Sequence, residues 1–183
     1  MSSVVYNFVL NCLDSELEYF RNLEVESHSN IFSRYDLEWC LQTYLILKRR
    51  GNMPVHCDNK LVAGAVNIVH SAQLLNIKGS VSDFIVCIQA DFAHRIWAHY
   101  HILQNYSQKY SNSSVVPLWI QPGLIKRDPS RAGVERVAYA GQISRNFAGS
   151  EAMWRDLIAP HKIEYAILPN GECFDMLDRD VLI

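Results

Sequence analysis

Residues 119–146 read WIQPGLIKRDPSRAGVERVAYAGQISRN, and they separate two stretches that are rich in short apolar runs. The part 119–136 contains two prolines and two glycines, which interrupt regular structure, so it is predicted to be a connector. It leads into a short apolar strand, Val137 to Ala140, that ends at Gly141. The pattern predicts two structural units, residues 1–118 and residues 137–183.

The turn after this strand is a candidate anion site. A strand that ends in glycine and is followed by polar and basic residues is typical of α/β proteins that bind a phosphate with backbone N–H groups and a cation. The connector also carries basic side chains, namely Lys126, Arg127, Arg131 and Arg136. A single glycine is not a full glycine-rich fingerprint, so an ordinary linker followed by an ordinary turn is the alternative interpretation.

The composition is that of a globular protein with a substantial core: 183 residues, 49% hydrophobic and 20% charged. The net charge of −2 provides no general basic field, so nucleic acid is not expected as a partner, and any anion site must be local. No apolar run approaches the roughly 20 residues of a membrane span, and the N-terminus lacks a signal pattern. A soluble, cytoplasmic protein is expected.

The five cysteines are widely spaced and form no C-x-x-C pair. This pattern favours reduced, mostly buried thiols over a disulfide framework or a metal site.

The first unit is predicted to be an α/β domain with a Rossmann-like, doubly wound parallel sheet. The continuous apolar run from Val4 to Val9 is typical of a strand that is covered on both faces. Further strands are predicted at 54–57, 65–70 and 84–88, with an extended piece at 114–121. Apolar residues at helical spacing predict a helix that begins with Asp36 as N-cap and ends at Gly51. The long polar stretch 14–34 is expected to be functional or to contain a short helix.

The second unit is predicted to be an incomplete Rossmann-like unit. A helix with Met153, Trp154 and Leu157 on one face follows the strand at 137–140, and a second strand follows at 163–168. The chain ends in Val181, Leu182 and Ile183, which look like the start of a buried parallel strand with nothing after it. We therefore expect a truncated form of a longer protein, and homo-oligomerisation through the unfinished sheet.

A resemblance to a known family rests on three segments, IQPGLIKRDPSRAGVERVAYAGQISRN, WCLQTYLILKRRG and FIVCIQADF. They resemble the interdomain region, first long helix and fourth strand of bacterial, notably cyanobacterial, two-domain glycosyltransferase-like proteins. Lys126 departs from the proline that the family pattern has at that position. The resemblance implies a glycosyltransferase-B-like N-terminal domain on the acceptor side and the beginning of a donor-side domain. It also implies transfer of a sugar from a nucleoside-diphosphate sugar to an unknown acceptor, without a metal.

The resemblance assigns residues to the donor diphosphate, whose departure must be stabilised by backbone amides and cations. By carry-over, the first loop of the second domain would contact this group through Gly141, Gln142, Arg145 and Asn146. Arg127 and Arg131 would line the cleft, although solvated or salt-bridged linker residues are the alternative. Because the segment that usually grips the nucleotide and sugar would follow DRDVLI, the chain alone is expected to be inactive.

An acceptor hydroxyl would need a general base within hydrogen-bond reach. The candidates are His70 and Asp91 as catalytic groups, with His28 and Asp36 on the acceptor side. His70 is the preferred base because it ends a predicted strand, at the sheet edge where ligands collect. The alternatives are a structural histidine at position 70 and helix caps at Asp36 and Asp91. His94, His99 and His101 suggest a metal, but no acidic or cysteine partner stands at a recognised ligand spacing.

Three function classes remain open from the sequence. The first is the glycosyltransferase-like protein, and the second is a non-catalytic nucleotide-binding or protein-interaction α/β domain. The third is a different small α/β enzyme such as a hydrolase, although the chain has no G-x-S-x-G elbow and no P-loop. The absence of G-x-G-x-x-G also argues against a dinucleotide oxidoreductase.

Overall fold

The computed structural model describes residues 4–25, 31, 34–77, 79–80, 83–90, 92–119, 129–130, 132–140, 151–168 and 181–182. The chain divides into two compact units, Met1–Ile120 and Gln121–Ile183, which are described separately.

The first unit is built on a six-stranded sheet in which every pairing is parallel. Its strand order is β2-β1-β3-β4-β5-β6. The strands are β1 (Tyr6–Val9), β2 (Val55–Asp58), β3 (Val66–His70), β4 (Phe84–Ile88), β5 (Tyr100–Leu103) and β6 (Ser113–Val115). The prediction of an α/β protein with a Rossmann-like parallel sheet is confirmed. β5 was not predicted as a strand, because Tyr100 and His101 leave its YHIL sequence without a continuous apolar run.

Two α-helical segments lie between β1 and β2. The first is α1 (Asp14–Arg21), which falls in the polar stretch where a short helix was expected. The second begins with a π-helical turn, Leu37–Leu41, and continues as α2 (Gln42–Arg50). As predicted, α2 ends at Gly51, whose φ of 64° lets its N–H reach the carbonyls of Leu47 and Lys48.

The strand order explains where these helices lie. The β1-to-β2 connection is the only one that runs towards the β2 edge, whereas the connections from β2 onwards run towards the β6 edge. Right-handed crossovers therefore place the two groups of connections on opposite faces of the sheet. The buried clusters agree, since Leu17, Phe20 and Leu41 pack with Phe8 on one face, while Leu74 and Ala98 pack with Val9 on the other.

The two faces are covered differently. In the described residues, the face that includes Val9 is covered by loops and a 3₁₀ turn, Gln73–Leu75, and not by α-helices. The helix-covered face is closed over β1, β2 and β3 by α1 and α2. Beyond α2, no described connection crosses this face, and the chain that follows β6 packs there through Leu118.

A row of polar side chains crosses the middle of the sheet. Asn7 in β1 stands in register with His56 in β2 and Asn67 in β3. The Asn7 amide donates to Asn67 Oδ1 at 2.9 Å and to the Lys60 carbonyl at 3.0 Å. Asn67 also accepts from the Val62 N–H and donates to the Val62 carbonyl. The row thereby secures the connection between β2 and β3, which contains no helix in the described residues.

Replacing Asn67 by alanine should lower the free energy of unfolding by about 2 kcal/mol. The substitution leaves the partly buried Val62 N–H without its acceptor and removes one partner of the Asn7 amide. Urea unfolding measures the loss. The matched control is Asn22→Ala, which removes an exposed bond to Glu18 and should change stability by less than about 0.5 kcal/mol. Equal losses in both variants would show that the row contributes no special stability.

The second unit contains a three-stranded parallel sheet in the order β8-β7-β9. Its elements are β7 (Arg136–Ala140), α3 (Glu151–Ile158), β8 (Glu164–Leu168) and β9 (Val181–Leu182), with a 3₁₀ turn, Ala159–His161, at the predicted break. Val137, Ile158 and Tyr165 form its buried cluster. Val181 and Leu182 pair with β7 as a parallel strand, as predicted. That this unit is a donor-side Rossmann domain stays a prediction.

Four cysteines are described, and all four are free thiols, of which Cys40, Cys57 and Cys87 are buried. This agrees with the expectation of reduced, mostly buried cysteines. Among the described residues, none of the helices has the length and apolar character that crossing a membrane requires.

Candidate ligand site at the carboxyl edge of the sheet

The strand order places a topological switch point between β1 and β3. The chain leaves these two neighbouring strands in opposite directions, because β1 is followed by β2 on one side and β3 by β4 on the other. In open parallel sheets, the crevice beyond the carboxyl ends of such strands is where ligands bind. This crevice is bordered by the residues that follow Val9 and by those at the end of β3, which include His70.

A partly buried ion pair between Arg34 and Asp36 forms one wall of this crevice. Asp36 is fully buried, and its carboxylate accepts from Arg34 Nε at 2.6 Å and from Arg34 Nη2 at 2.8 Å. The Asn11 N–H donates to the same carboxylate at 3.0 Å, and Arg34 Nη2 donates to the Asn11 carbonyl at 2.8 Å. The pair thus fastens the start of the second helix to the end of β1.

This geometry corrects the expectation that Asp36 is an N-cap. Its backbone is already helical, with φ −74° and ψ −34°, and its side chain makes no capping bond. The carboxylate instead accepts from Arg34 and Asn11. Burial lowers the pKa of Arg34, but the hydrogen bond and the charge of Asp36 outweigh burial and raise it overall. The acceptor-side role of Asp36 stays a prediction, and these bonds account for the residue without a ligand.

An aromatic cluster forms the second wall, and we use this name for His70, Tyr35 and Phe92. The Tyr35 ring stacks on the His70 ring at 4.7 Å between centroids, and Phe92 meets it edge-on at 5.3 Å. His70 is fully buried, whereas Tyr35 and Phe92 are each 38% exposed. The cluster therefore presents two partly exposed rings with an imidazole beneath them.

The hydrogen bonds of His70 fix its tautomer. Nδ1 accepts from the Ala72 N–H at 3.2 Å, so the proton of the neutral ring is on Nε2. Nε2 is buried and has no hydrogen-bond partner among the residues that the structure describes. Burial lowers the pKa of His70 to about 4, against the weaker opposing effect of the Asp36 charge. At neutral pH the ring is thus an uncharged donor, and the role of general base stays a prediction.

A cation lies at the same edge. Ser71 directly follows His70, and its hydroxyl accepts from Arg95 Nε at 3.1 Å. The Arg95 carbonyl contacts His101 Nε2 at 3.0 Å, which anchors the loop after β4 to β5. Arg95 is partly buried and has no acidic partner among the described ion pairs. Arg95 therefore places a positive charge beside the carboxyl end of β3.

The backbone at the end of β4 is strained. Ala90 has φ 47°, a left-handed conformation that alanine rarely adopts and that costs about 1 to 2 kcal/mol. The turn places Phe92 beside His70, since the Phe92 N–H donates to the Gln89 carbonyl at 3.0 Å. Such strain concentrates at ligand sites.

The three histidines that suggested a metal site in the sequence have different ring partners. His94 and His101 lie 4.4 Å apart between ring centroids, with Tyr110 beside both. His99 instead stacks on Phe84, and its Nδ1 accepts from the Ile85 N–H. Within the described part of the chain, no group of three or more histidine, cysteine or acidic side chains is arranged to hold a metal ion.

The structure places Asp36 near His70: Tyr35, the neighbour of Asp36, stacks on the His70 ring, and the Asp36 charge acts on the pKa of His70. The other predicted site residues lie outside the described residues, namely His28, Asp91, Arg127, Arg131, Gly141, Gln142, Arg145 and Asn146. Sequence reasoning missed Tyr35, Phe92 and Arg95. They could have been found by their position in the sequence, because each lies within a few residues of Asp36 or Asp91, which were already candidates.

The fold and the site define the class as an α/β protein with a Rossmann-like parallel sheet and a candidate ligand site at its switch point. No family model, curated protein or solved structure matches the chain.

Proposed function

We propose that this protein is glycosyltransferase-like and that its first unit binds the acceptor at the switch point between β1 and β3. The observation that supports this is the combination of the buried Nε2–H of His70, which has no hydrogen-bond partner among the described residues, with the Arg95 guanidinium at one sheet edge. A sugar or other polyol offers hydroxyl oxygens to such donors and a C–H face to exposed rings such as Tyr35.

The donor half of the proposal rests on the resemblance of the connector and the loop after β7. A nucleoside-diphosphate sugar would bind through Gly141, Gln142, Arg145 and Asn146, with Arg127 and Arg131 along the cleft. In this scheme no metal is needed, because backbone N–H groups and arginines stabilise the leaving diphosphate. Homo-oligomerisation through the sheet of the second unit is part of the same proposal.

Calorimetric titration with a panel of nucleoside diphosphates and nucleotide sugars tests this function. We expect saturable binding that Arg145→Ala weakens at least tenfold, since hydrogen bonds to charged groups contribute about 1.5 to 3 kcal/mol. The matched control is Arg155→Ala, whose guanidinium pairs with Glu151 within α3 and should leave binding unchanged. A folded protein that binds none of these compounds would contradict the transferase proposal.

The second candidate function is a non-catalytic binding domain, and the tautomer of His70 favours it. Because Nδ1 is occupied by the Ala72 N–H and Nε2 carries the proton, neither nitrogen is free to accept a proton from an acceptor hydroxyl. Assays for release of nucleoside diphosphate from each bound nucleotide sugar separate the two functions. If a nucleotide sugar and an acceptor are both bound and no nucleoside diphosphate is released, the protein is a non-catalytic binding domain.

A further inference from the structure

The first unit contains an apolar cavity of about 470 Å³ on its helix-covered face. Its floor is formed by buried side chains of the sheet, Phe8, Ile68 and Ile88, and one wall is formed by Trp39 and Leu47 of the second helix. The opposite wall is the chain after β6, residues 116–119. The volume lies within the range of pockets that hold small molecules.

The topology of the sheet accounts for this cavity. All connections after β2 run over the opposite face, so the part of this face above β4 and β5 receives no crossover among the described residues. The second helix forms one wall of the cavity and the chain after β6 forms another, and the two meet where the Trp119 indole bonds Thr43. A gap between these two walls follows from the strand order rather than from a local packing fault.

The mouth of the cavity carries a cation. Val116, which is 42% exposed, and Pro117 line the outer wall, so the cavity opens along residues 116–119. The Trp119 indole donates to Thr43 Oγ1 at 2.9 Å, and the Arg50 guanidinium lies 5.5 Å above the Trp119 ring. Arg50 is exposed and has no acidic partner among the described ion pairs.

We propose that this cavity binds the hydrocarbon chain of an anionic amphiphile, whose charged head pairs with Arg50. The apolar walls exclude a polar ligand, because its groups would lose their hydrogen bonds to water without replacement. A cavity with apolar walls accepts apolar ligands. Charge complementarity at Arg50 selects an anionic head over a neutral one. This inference does not depend on sugar transfer.

The test is a titration of the full chain with hexanoate, octanoate, decanoate and dodecanoate below their aggregation concentrations, followed by calorimetry. Each further buried methylene should strengthen binding by a factor of about four until the cavity is full, after which the affinity levels off. Decanol should bind more weakly than decanoate, by a factor of about five. Affinity that is independent of chain length would overturn the proposal.

Two pairs of matched variants locate the ligand. Ile102→Phe reduces the cavity, and should weaken decanoate binding at least tenfold, whereas Ile96→Phe makes the same change at an 86% exposed position and should have no effect. Arg50→Gln should remove the preference for decanoate over decanol, whereas Arg49→Gln should retain it. If both arginine variants behave alike, the assignment of the head to Arg50 is wrong.

Other occupants of the cavity would give a different result. A second copy of the chain seated on this face would make the protein dimeric in sedimentation and would leave no saturable alkanoate binding. A segment of the same chain that fills the cavity would give a monomer without alkanoate binding. Either result overturns the proposal, and neither affects the nucleotide titration, so failure here and failure of the transferase proposal are distinguishable.

Discussion

Lowering the pH from 7 to 4 should reduce the free energy of unfolding of the wild-type protein by about 3 kcal/mol more than that of His70→Gln. In the folded state the pKa of His70 is about 4, because the ring is buried, whereas the unfolded chain has the ordinary value of 6.5. Between these values the unfolded state binds the proton and the folded state does not. The stabilisation is therefore complete above pH 6.5 and is lost as the pH falls towards 4.

Urea unfolding at a series of pH values measures this effect, and the difference between wild type and His70→Gln removes the contribution of all other groups. His101 requires this subtraction, since burial lowers its pKa as well. An NMR titration of the His70 ring gives the folded-state pKa directly. Parallel pH profiles for the two proteins would mean that the ring is hydrated in solution and that the crevice is more open than described.

Replacing Arg34 by alanine should lower the free energy of unfolding by about 3 kcal/mol. Within the described part of the chain, the variant leaves the buried Asp36 carboxylate with the Asn11 N–H as its one remaining hydrogen-bond partner. Breaking a buried ion pair costs about 3 to 5 kcal/mol, and the lower value applies because the Arg34 side chain is itself 40% exposed. The loss should appear in the first unit, whose second helix the pair fastens to β1.

The double variant Arg34→Ala with Asp36→Asn separates the ion pair from the packing of the arginine. Because asparagine keeps an acceptor for Asn11 and carries no charge, the double variant should recover part of the loss. The exposed pair between Arg155 and Glu151 provides the control, since Arg155→Ala should cost less than about 0.5 kcal/mol. A loss of that small size for Arg34→Ala would show that water reaches Asp36 in the variant.

Strands buried on both faces were the most predictable part of the fold. FIVCI coincides with β4, and VNIVH falls within the predicted third strand, because continuous apolar runs of this length indicate interior parallel strands. The end of the second helix at Gly51 was equally predictable from the sequence. β5 was missed because His101 interrupts its apolar pattern, yet it is buried through a contact with the Arg95 carbonyl. The two residues are only six positions apart, but the contact depends on the conformation of the loop after β4, which the apolar pattern does not specify.

The position of the candidate site could be predicted from the sequence, but the protonation and hydrogen-bond partners of its residues could not. His70 could be placed at a sheet edge because it ends a strand, but its tautomer depends on the Ala72 N–H, which only the fold brings to Nδ1. The N-cap pattern at Asp36 had a competing partner, since Arg34 stands two residues earlier and binds the carboxylate more strongly than a backbone N–H. The strand order, which decides where the cavity lies, also cannot be deduced from the pattern of elements alone.

The central position of β1 has a consequence for synthesis of the chain. β1 is made first, but its pairing partner Asn67 is 60 residues away from Asn7, and β2 also follows only after two helical segments. At about 5 to 20 residues per second, ribosomes need roughly 3 to 12 s to reach β3 after making β1. The apolar YNFV segment has no strand to pair with until β2 is made, and its other edge stays unpaired until β3 follows, so the nascent chain is most exposed to misassociation before His70 has emerged.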